Sequence, residues 1–340
     1  MSEGLRVALA LALPALLTLA TVPLAITVAR RTGFLDSPCG YKAHQRPTPY
    51  LGGAAVLAAA LPAAALLGGD LVSRYWPLLA GAVFMAGIGA CDDRLNLLPS
   101  LRLAVEALVG WFLWHRGLGW GFLASDFLNL LLTAFWVMAI VNAFNLMDNL
   151  DGACSSVAAV SFASIAALAA LGDNLPLEIL TLALCGAAIG FLRFNLARPS
   201  RIFLGDGGSM PIGFLVAACL MSVPMGEASG WGTVVAAVLV AGLPVFDTTL
   251  VVISRRRRGA QVLSGATDHT THRLLALLKT PLAVAGALAT AQACLGALAI
   301  EATRLGEAAL TAVSLCAFLL AAATIVIVEG SGWTPVSDDS

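Results

Sequence analysis

The chain has 340 residues, 59% of them hydrophobic and 11% charged, with a formal net charge of −1. A soluble domain carries about 25% charged residues, so charge is too scarce for a water-facing surface, and the near-neutral total names no nucleic-acid partner. The seven cysteines show no paired or metal-ligand spacing, which argues against a disulfide framework.

Apolar runs recur from end to end and leave no room for a separate soluble domain. They occupy residues 5–28, 51–67, 76–91, 101–114, 127–141, 153–171, 175–194, 210–223, 231–253, 281–300 and 308–328. A spanning helix needs roughly 17–25 apolar residues. Eleven spans are therefore expected, or ten, because the runs at 101 and 210 are short. The first run is too long for a signal-peptide core and lacks a clear cleavage site. The expected architecture is a single all-α, polytopic membrane domain over residues 1–340, with 329–340 as a short cytoplasmic tail. Cys185, Cys219, Cys294 and Cys316 fall inside apolar runs and read as small core hydrophobes.

Orientation follows from Lys and Arg. Numbered from the N-terminus, the odd connections hold 15 of the 19 basic residues, and the remainder are Arg6, Arg74, Arg116 and Arg304. The odd connections are read as cytoplasmic, with the N-terminus outside and the C-terminus inside.

The unusual polar residues fall on that same face. In chain order, Lys42, His44 and Arg46 precede the second run in KAHQRPTPYLGG. Asp92 and Asp93 end the third run. Asn142, Asn145, Asp148 and Asp151 follow the fifth in NAFNLMDNLDG. Asn195 ends the seventh, and Asp206 sits in FLGDGGSMP before the eighth. Asp268, His269 and His272 form DHTTHRL in the last large loop. The outer connections carry only isolated acids such as Asp173 and Glu178.

Each cluster has a plain alternative. Asp92-Asp93 could be an interfacial stop signal. Adjacent helical residues point about 100° apart, so the two acids are expected to have different partners. Asn145 and Asp148 are three apart and share a helical face. Two carboxamides and two acids directly after an apolar span make poor filler, because buried polar groups need partners. In FLGDGGSMP, Ser209 reads as the N-cap and Pro211 as first-turn proline. Free amides at such a turn suit phosphate oxygens, and Asp206 at its tip would repel phosphate unless a divalent cation lay between them. That is the case for Mg²⁺, or Mn²⁺, shared between carboxylates and substrate phosphates. His269 and His272 could be a zinc pair, but no third ligand is nearby and Arg273 is adjacent, which favours anion or sugar binding. Arg255 to Arg258 read as a topology signal and anionic-lipid contact. Asp247, inside an apolar run, is structural or a substrate contact.

These motifs, in this order from Lys42 to Leu274, resemble the polyprenyl-phosphate N-acetylhexosamine-1-phosphate transferase family. The resemblance implies Mg²⁺-dependent transfer of a sugar 1-phosphate from a UDP-sugar to a membrane polyprenyl phosphate, with release of UMP. It implies Asp92 and Asp93 near the acceptor phosphate and Asn145 and Asp206 at the metal. It further implies Asp148, Asp151 and Asn195 around the nucleotide and diphosphate, with Lys42, His269 and His272 on phosphate or sugar. Two departures stand out: Asn149 where Gly is frequent, and Thr271 where the last loop usually carries a third His. The missing triple His argues against the phospho-MurNAc-pentapeptide branch and for the GlcNAc-1-phosphate branch. The implied partners are UDP-GlcNAc, undecaprenyl phosphate and the bacterial inner membrane, with a homodimer left open. The rival class is a secondary transporter, but transporters hold ionisable groups near the midplane within repeats, and no repeat is present here.

Overall fold

The computed structural model describes residues 1–36, 47–223, 230–261 and 267–330. Lys42, His44 and Arg46, and the tail beyond 330, lie outside them. All eleven apolar runs are helical. The helices are α1 (Glu3–Thr32), α2 (Gly52–Leu67), α3 (Leu71–Leu95), α4 (Pro99–His115), α5 (Asp126–Met147), α6 (Ala153–Leu171), α7 (Leu175–Asn195), α8 (Asp206–Ser222), α9 (Trp231–Val240), α10 (Gly242–Arg258), α11 (Thr270–Leu278), α12 (Pro281–Leu305) and α13 (Glu307–Gly330). Two residue pairs, β1 (Leu35–Asp36) and β2 (Thr48–Pro49), form a small antiparallel ladder that the sequence does not announce.

Among the described residues, seven helices are each long and apolar enough to cross a membrane. These are α1, α3, α5, α6, α7, α12 and α13, and leucines and phenylalanines such as Leu24, Phe84, Phe135, Phe318 and Leu320 face outward from them. Outward apolar side chains on this scale fit lipid, not water. The same outward placement corrects the reading of two cysteines: Cys185 and Cys219 are buried, whereas Cys294 on α12 and Cys316 on α13 are exposed. The helices α2, α4 and α8 have 16, 17 and 17 residues. At 1.5 Å per residue they reach only about 24–26 Å. For α8 the shortness is affordable because it is sheathed by α3, α5, α2 and α6 and buried along most of its length.

The run at 231–253 is not one straight span. It breaks into α9 and α10, bent by 84°. Pro244 lies in the first turn of α10, has no N–H, and would clash with the carbonyl of Val240 four residues back. The freed groups are satisfied from neighbouring helices. The Val240 carbonyl accepts from Gln292 Nε2 at 2.7 Å and Ser161 Oγ at 2.9 Å, and the Leu243 amide donates to Gln292 Oε1 at 3.0 Å. In a lipid environment an irregular backbone is tolerated only with such partners. On α10 beyond the break, Asp247 and Arg255 meet the segment that carries Asp268 and His269.

Helix α1 packs on α7 through Gly186 and Gly190, a small-xxx-small pair. A Cβ at Gly186 would lie 2.0 Å from the Leu11 carbonyl oxygen, and one at Gly190 2.5 Å from that of Ala15. Gly186→Leu should therefore lower the thermal midpoint in detergent, with a loss of about 3 kcal/mol, the upper end for overpacking. Gly286→Leu, at a position with nothing within 4 Å, should leave it unchanged.

Candidate active site

The C-terminal ends of α3, α5 and α7 and the N-terminal ends of α2, α4, α6 and α8 meet at one face, and the motif residues meet with them. The FLGDGG segment is held there by backbone. Phe203 N–H donates to the Pro49 carbonyl, and the first amides of α2, on Gly52 and Gly53, donate to the carbonyls of Phe203 and Leu204 at 3.1 and 3.0 Å. Gly53 and Gly208 touch backbone to backbone, since a Cβ on Gly53 would sit 2.1 Å from the Gly208 Cα. This explains the YLGG and GDGG glycines together: they are two sides of one helix contact.

Helix α8 starts at Asp206, not at Met210, so Ser209 is inside the helix and Pro211 beyond its first turn. The cap comes from another helix. Asp93 Oδ1 accepts the Asp206 amide at 2.9 Å and Oδ2 accepts the Gly207 amide at 3.0 Å. A carboxylate at a helix N-terminus meets both the free amides and the positive end of the dipole. The expectation of free amides for phosphate is corrected accordingly, because the protein's own carboxylate occupies that place. Gly205, at φ 73°, makes the turn and abuts Asp93.

Asp92 faces elsewhere, as adjacent helical positions require. Its Oδ1 accepts the Leu97 amide at 2.7 Å, and its Oδ2 lies 2.7 Å from Arg102 Nη1. The same Nη1 is 3.6 Å from Asp206 Oδ2, and Nη2 donates to Asn145 Oδ1 at 2.7 Å. Asn145 Nδ2 in turn donates to Asp206 Oδ1 at 2.6 Å and to Ser209 Oγ at 3.1 Å. Oxygens of Asp92, Asn145 and Asp206, from three helices, thus converge on one guanidinium. Arg102 reads from the sequence as a topology charge. Its only sequence signal is a place on an apolar helix one turn before Glu106. Glu106 is buried and accepts from Asn142, which makes a second α4–α5 rung below Arg102–Asn145.

The turn after α5 carries Asp148 and Asp151. Burial pushes the Asp148 carboxyl well above the usual carboxylate range, and Asp206, Asp93 and Asp151 add to it. Asn195 is buried and locks the turn. Its Oδ1 accepts the Gly152 amide at 2.7 Å, and its Nδ2 donates to the Ile202 carbonyl at 3.1 Å and toward Asp151 at 3.4 Å. Asn195 therefore positions two loops.

The His loop is built by α10. Asp247 Oδ2 lies 2.8 Å from His269 Nδ1, and its Oδ1 accepts the Thr270 amide at 2.6 Å. Asp247 is thus the group that orients His269. Arg255, 2% exposed, makes two 2.9 Å contacts to Asp268, 0% exposed, and Arg258 adds a third at 2.7 Å. Two members of the Arg run are therefore structural ion-pair partners, and only Arg256 and Arg257 fit the reading as a surface charge run. Burial works against an ionised Asp268, but these guanidiniums override it and hold its carboxyl below the usual range. Burial, then His269, pulls His272 down to about 4. A ring held there is uncharged at pH 7, and its Nδ1 is buried with no hydrogen-bond partner among the described residues. Among the described residues no third His, Cys, Asp or Glu joins the two histidines in a metal cluster. Thr271 donates to Asn149 Oδ1, so the two positions that depart from the family pattern touch each other and tie the His loop to the acidic turn.

Residues 75–223, from the first turns of α3 to the end of α8, match the profile of glycosyl transferase family 4. A decaprenyl-phosphate N-acetylglucosaminephosphotransferase of Mycobacterium tuberculosis is 31% identical over 73% of this chain and 70% of its own length. The chain belongs to glycosyl transferase family 4. Two further relatives carry related names. A probable undecaprenyl-phosphate N-acetylglucosaminyl 1-phosphate transferase of Bacillus subtilis is 26% identical over 80% of this chain and 78% of its own. An undecaprenyl-phosphate alpha-N-acetylglucosaminyl 1-phosphate transferase of Yersinia pestis is 29% identical, covering 76% and 74%. In this multi-pass family 4 transferase the matched stretch contains Asp92, Asp93, Arg102, Asn145, Asp148, Asp151, Asn195 and Asp206. The His loop lies beyond it.

Proposed function

We propose that this protein transfers GlcNAc-1-phosphate from UDP-GlcNAc to a polyprenyl phosphate at the cytoplasmic face, releasing UMP, in a Mg²⁺-dependent reaction. The observation that carries this is the convergence of Asp92, Asn145 and Asp206 at the helix ends, around the Arg102 guanidinium. Donor and acceptor are both anionic, and the relatives are named for this pair of substrate classes. Few carboxylates and one carboxamide, all oxygen donors, are what a hard dication shared with phosphates takes. The residues fit Mg²⁺, with Asp206 and Asn145 holding it and Asp92 beside it. Bound there, it would offset the charge on the transferring phosphate.

The chain's own groups do the rest. Asp93 fixes the start of α8 and with it the direction of Asp206. Asn195 fixes the turn that carries Asp148 and Asp151 near the diphosphate. His269, oriented by Asp247, and neutral His272 offer ring nitrogens to sugar or phosphate oxygens. Lys42 is assigned to phosphate as well. An oxygen of the lipid phosphate attacks the β-phosphorus, the bond to the UMP oxygen breaks, and an aspartate takes the acceptor's proton. Alignment of two held anions carries much of the rate. Purified protein given undecaprenyl phosphate and a panel of UDP-sugars should release UMP fastest with UDP-GlcNAc, lose activity in EDTA and regain it with Mg²⁺ or Mn²⁺. No UMP release with any UDP-sugar would sink the reading.

Sidedness follows from the distribution of Lys and Arg. In a cysteine-free background, a cysteine at Ala260 should label only from the cytoplasm and one at Asp173 only from outside. The opposite pattern would place the site on the wrong face for a nucleotide sugar.

A further inference from the structure

Arg102 lies among the oxygens proposed above to hold or flank a dication. Its guanidinium is 2.7 Å from Asp92 Oδ2, 2.7 Å from Asn145 Oδ1 and 3.6 Å from Asp206 Oδ2. Three oxygens from α3, α5 and α8 meet one charge delivered by a fourth helix, α4. We infer that Arg102 is a resident counter-cation: it fills the seat among these oxygens in the metal-free protein and gives it up when a dication binds. Arg102 thereby sets the affinity for the dication. This rests on the cation-dependent reading above.

Electrostatics motivates both halves. Without a cation, Asp92 and Asp206 would face each other in a site where Asp92 is buried, and like charges at close range in a low-dielectric setting repel strongly. Were a dication held by the same oxygens, a guanidinium kept among them would put three positive charges within a few ångströms. The two occupants exclude each other. Arg102 also has somewhere to go. Glu106 lies four residues on along α4, hence on the same helical face. It is fully buried, and its Oε1 has no hydrogen-bond partner among the described residues. A displaced guanidinium has the Glu106 carboxyl to turn to without leaving the site.

Arg102 is on this view a positioning residue, and its removal has a sign that a purely structural role does not share. Mn²⁺ binding to the detergent-purified protein, followed by loss of the free-ion electron paramagnetic resonance signal, reads affinity without turnover. Arg102→Gln removes the competing charge and should bind Mn²⁺ at least about tenfold more tightly, since 1.4 kcal/mol of relieved repulsion is a factor of ten. Arg102→Lys keeps the charge but not the fork, and should fall between the two, which covers the case of a Gln variant that does not fold. Glu106→Gln removes the alternative partner and should bind Mn²⁺ more weakly than wild type. In both Arg102 variants the Mn²⁺-induced rise in thermal midpoint should exceed that of wild type. If wild type takes up Mn²⁺ that Asp206→Ala abolishes, but neither Arg102 variant binds it more tightly, the counter-cation role is wrong and the metal site stands. If wild type takes up no Asp206-dependent Mn²⁺, the metal reading falls and this inference with it.

Discussion

Asp206→Ala should abolish transfer while leaving the helices assembled. The side chain is the meeting point of the site: Asn145 Nδ2 donates to one oxygen at 2.6 Å, and Arg102 lies 3.6 Å from the other. As a proposed metal ligand aimed at the donor diphosphate, it should cost at least about 10³-fold in kcat, beyond the 10–100-fold typical of residues one shell further out. The fold should survive. The carboxyl is 30% exposed, so truncation leaves no sealed cavity. The start of α8 is capped by Asp93 through the backbone of residue 206, which alanine retains. UMP release and helical content measured on the same preparation check both halves. Substantial activity in this variant removes Asp206 from the metal role. Loss of helix together with activity would instead make it a folding residue.

The second large effect is on stability. Arg255→Ala leaves Asp268, 0% exposed, without its two-bond partner. Breaking a buried pair from one side costs about 3–5 kcal/mol, because a desolvated charge remains. Arg258 still contacts Asp268 at 2.7 Å, so the lower end, about 3 kcal/mol, is expected. Removing both charges, in Arg255→Ala with Asp268→Ala, should recover part of the loss, a coupling that a double-mutant cycle measures directly. The His loop should loosen in the single variant, seen as faster amide exchange over 268–272 and a raised KM for UDP-GlcNAc. Additive losses in the double variant would mean the pair is not coupled.

Much of this was readable from the chain. Burying unpaired polar groups in apolar surroundings is costly, so Asn145, Asp148, Asp151, Asn195 and Asp206 stand out against apolar runs at one end of each helix. The length of the apolar runs placed the helices, since lipid leaves the backbone no partner but itself. What the chain could not show was which polar group answers which. Arg102 and Asp92 are ten residues apart on different helices, Arg102 and Asn145 forty-three, and nothing in either local pattern encodes the meeting. Asp93 as the cap of a helix 113 residues later, Asp247 as the orienter of His269, and Arg255 as the buried partner of Asp268 are products of packing alone. The break at Pro244 marks the boundary. The proline's missing N–H is in the sequence, but a straight kinked span and an 84° turn are both open to it. The turn is decided by Gln292 and Ser161, which satisfy the freed Val240 carbonyl only when α12 and α6 are in place.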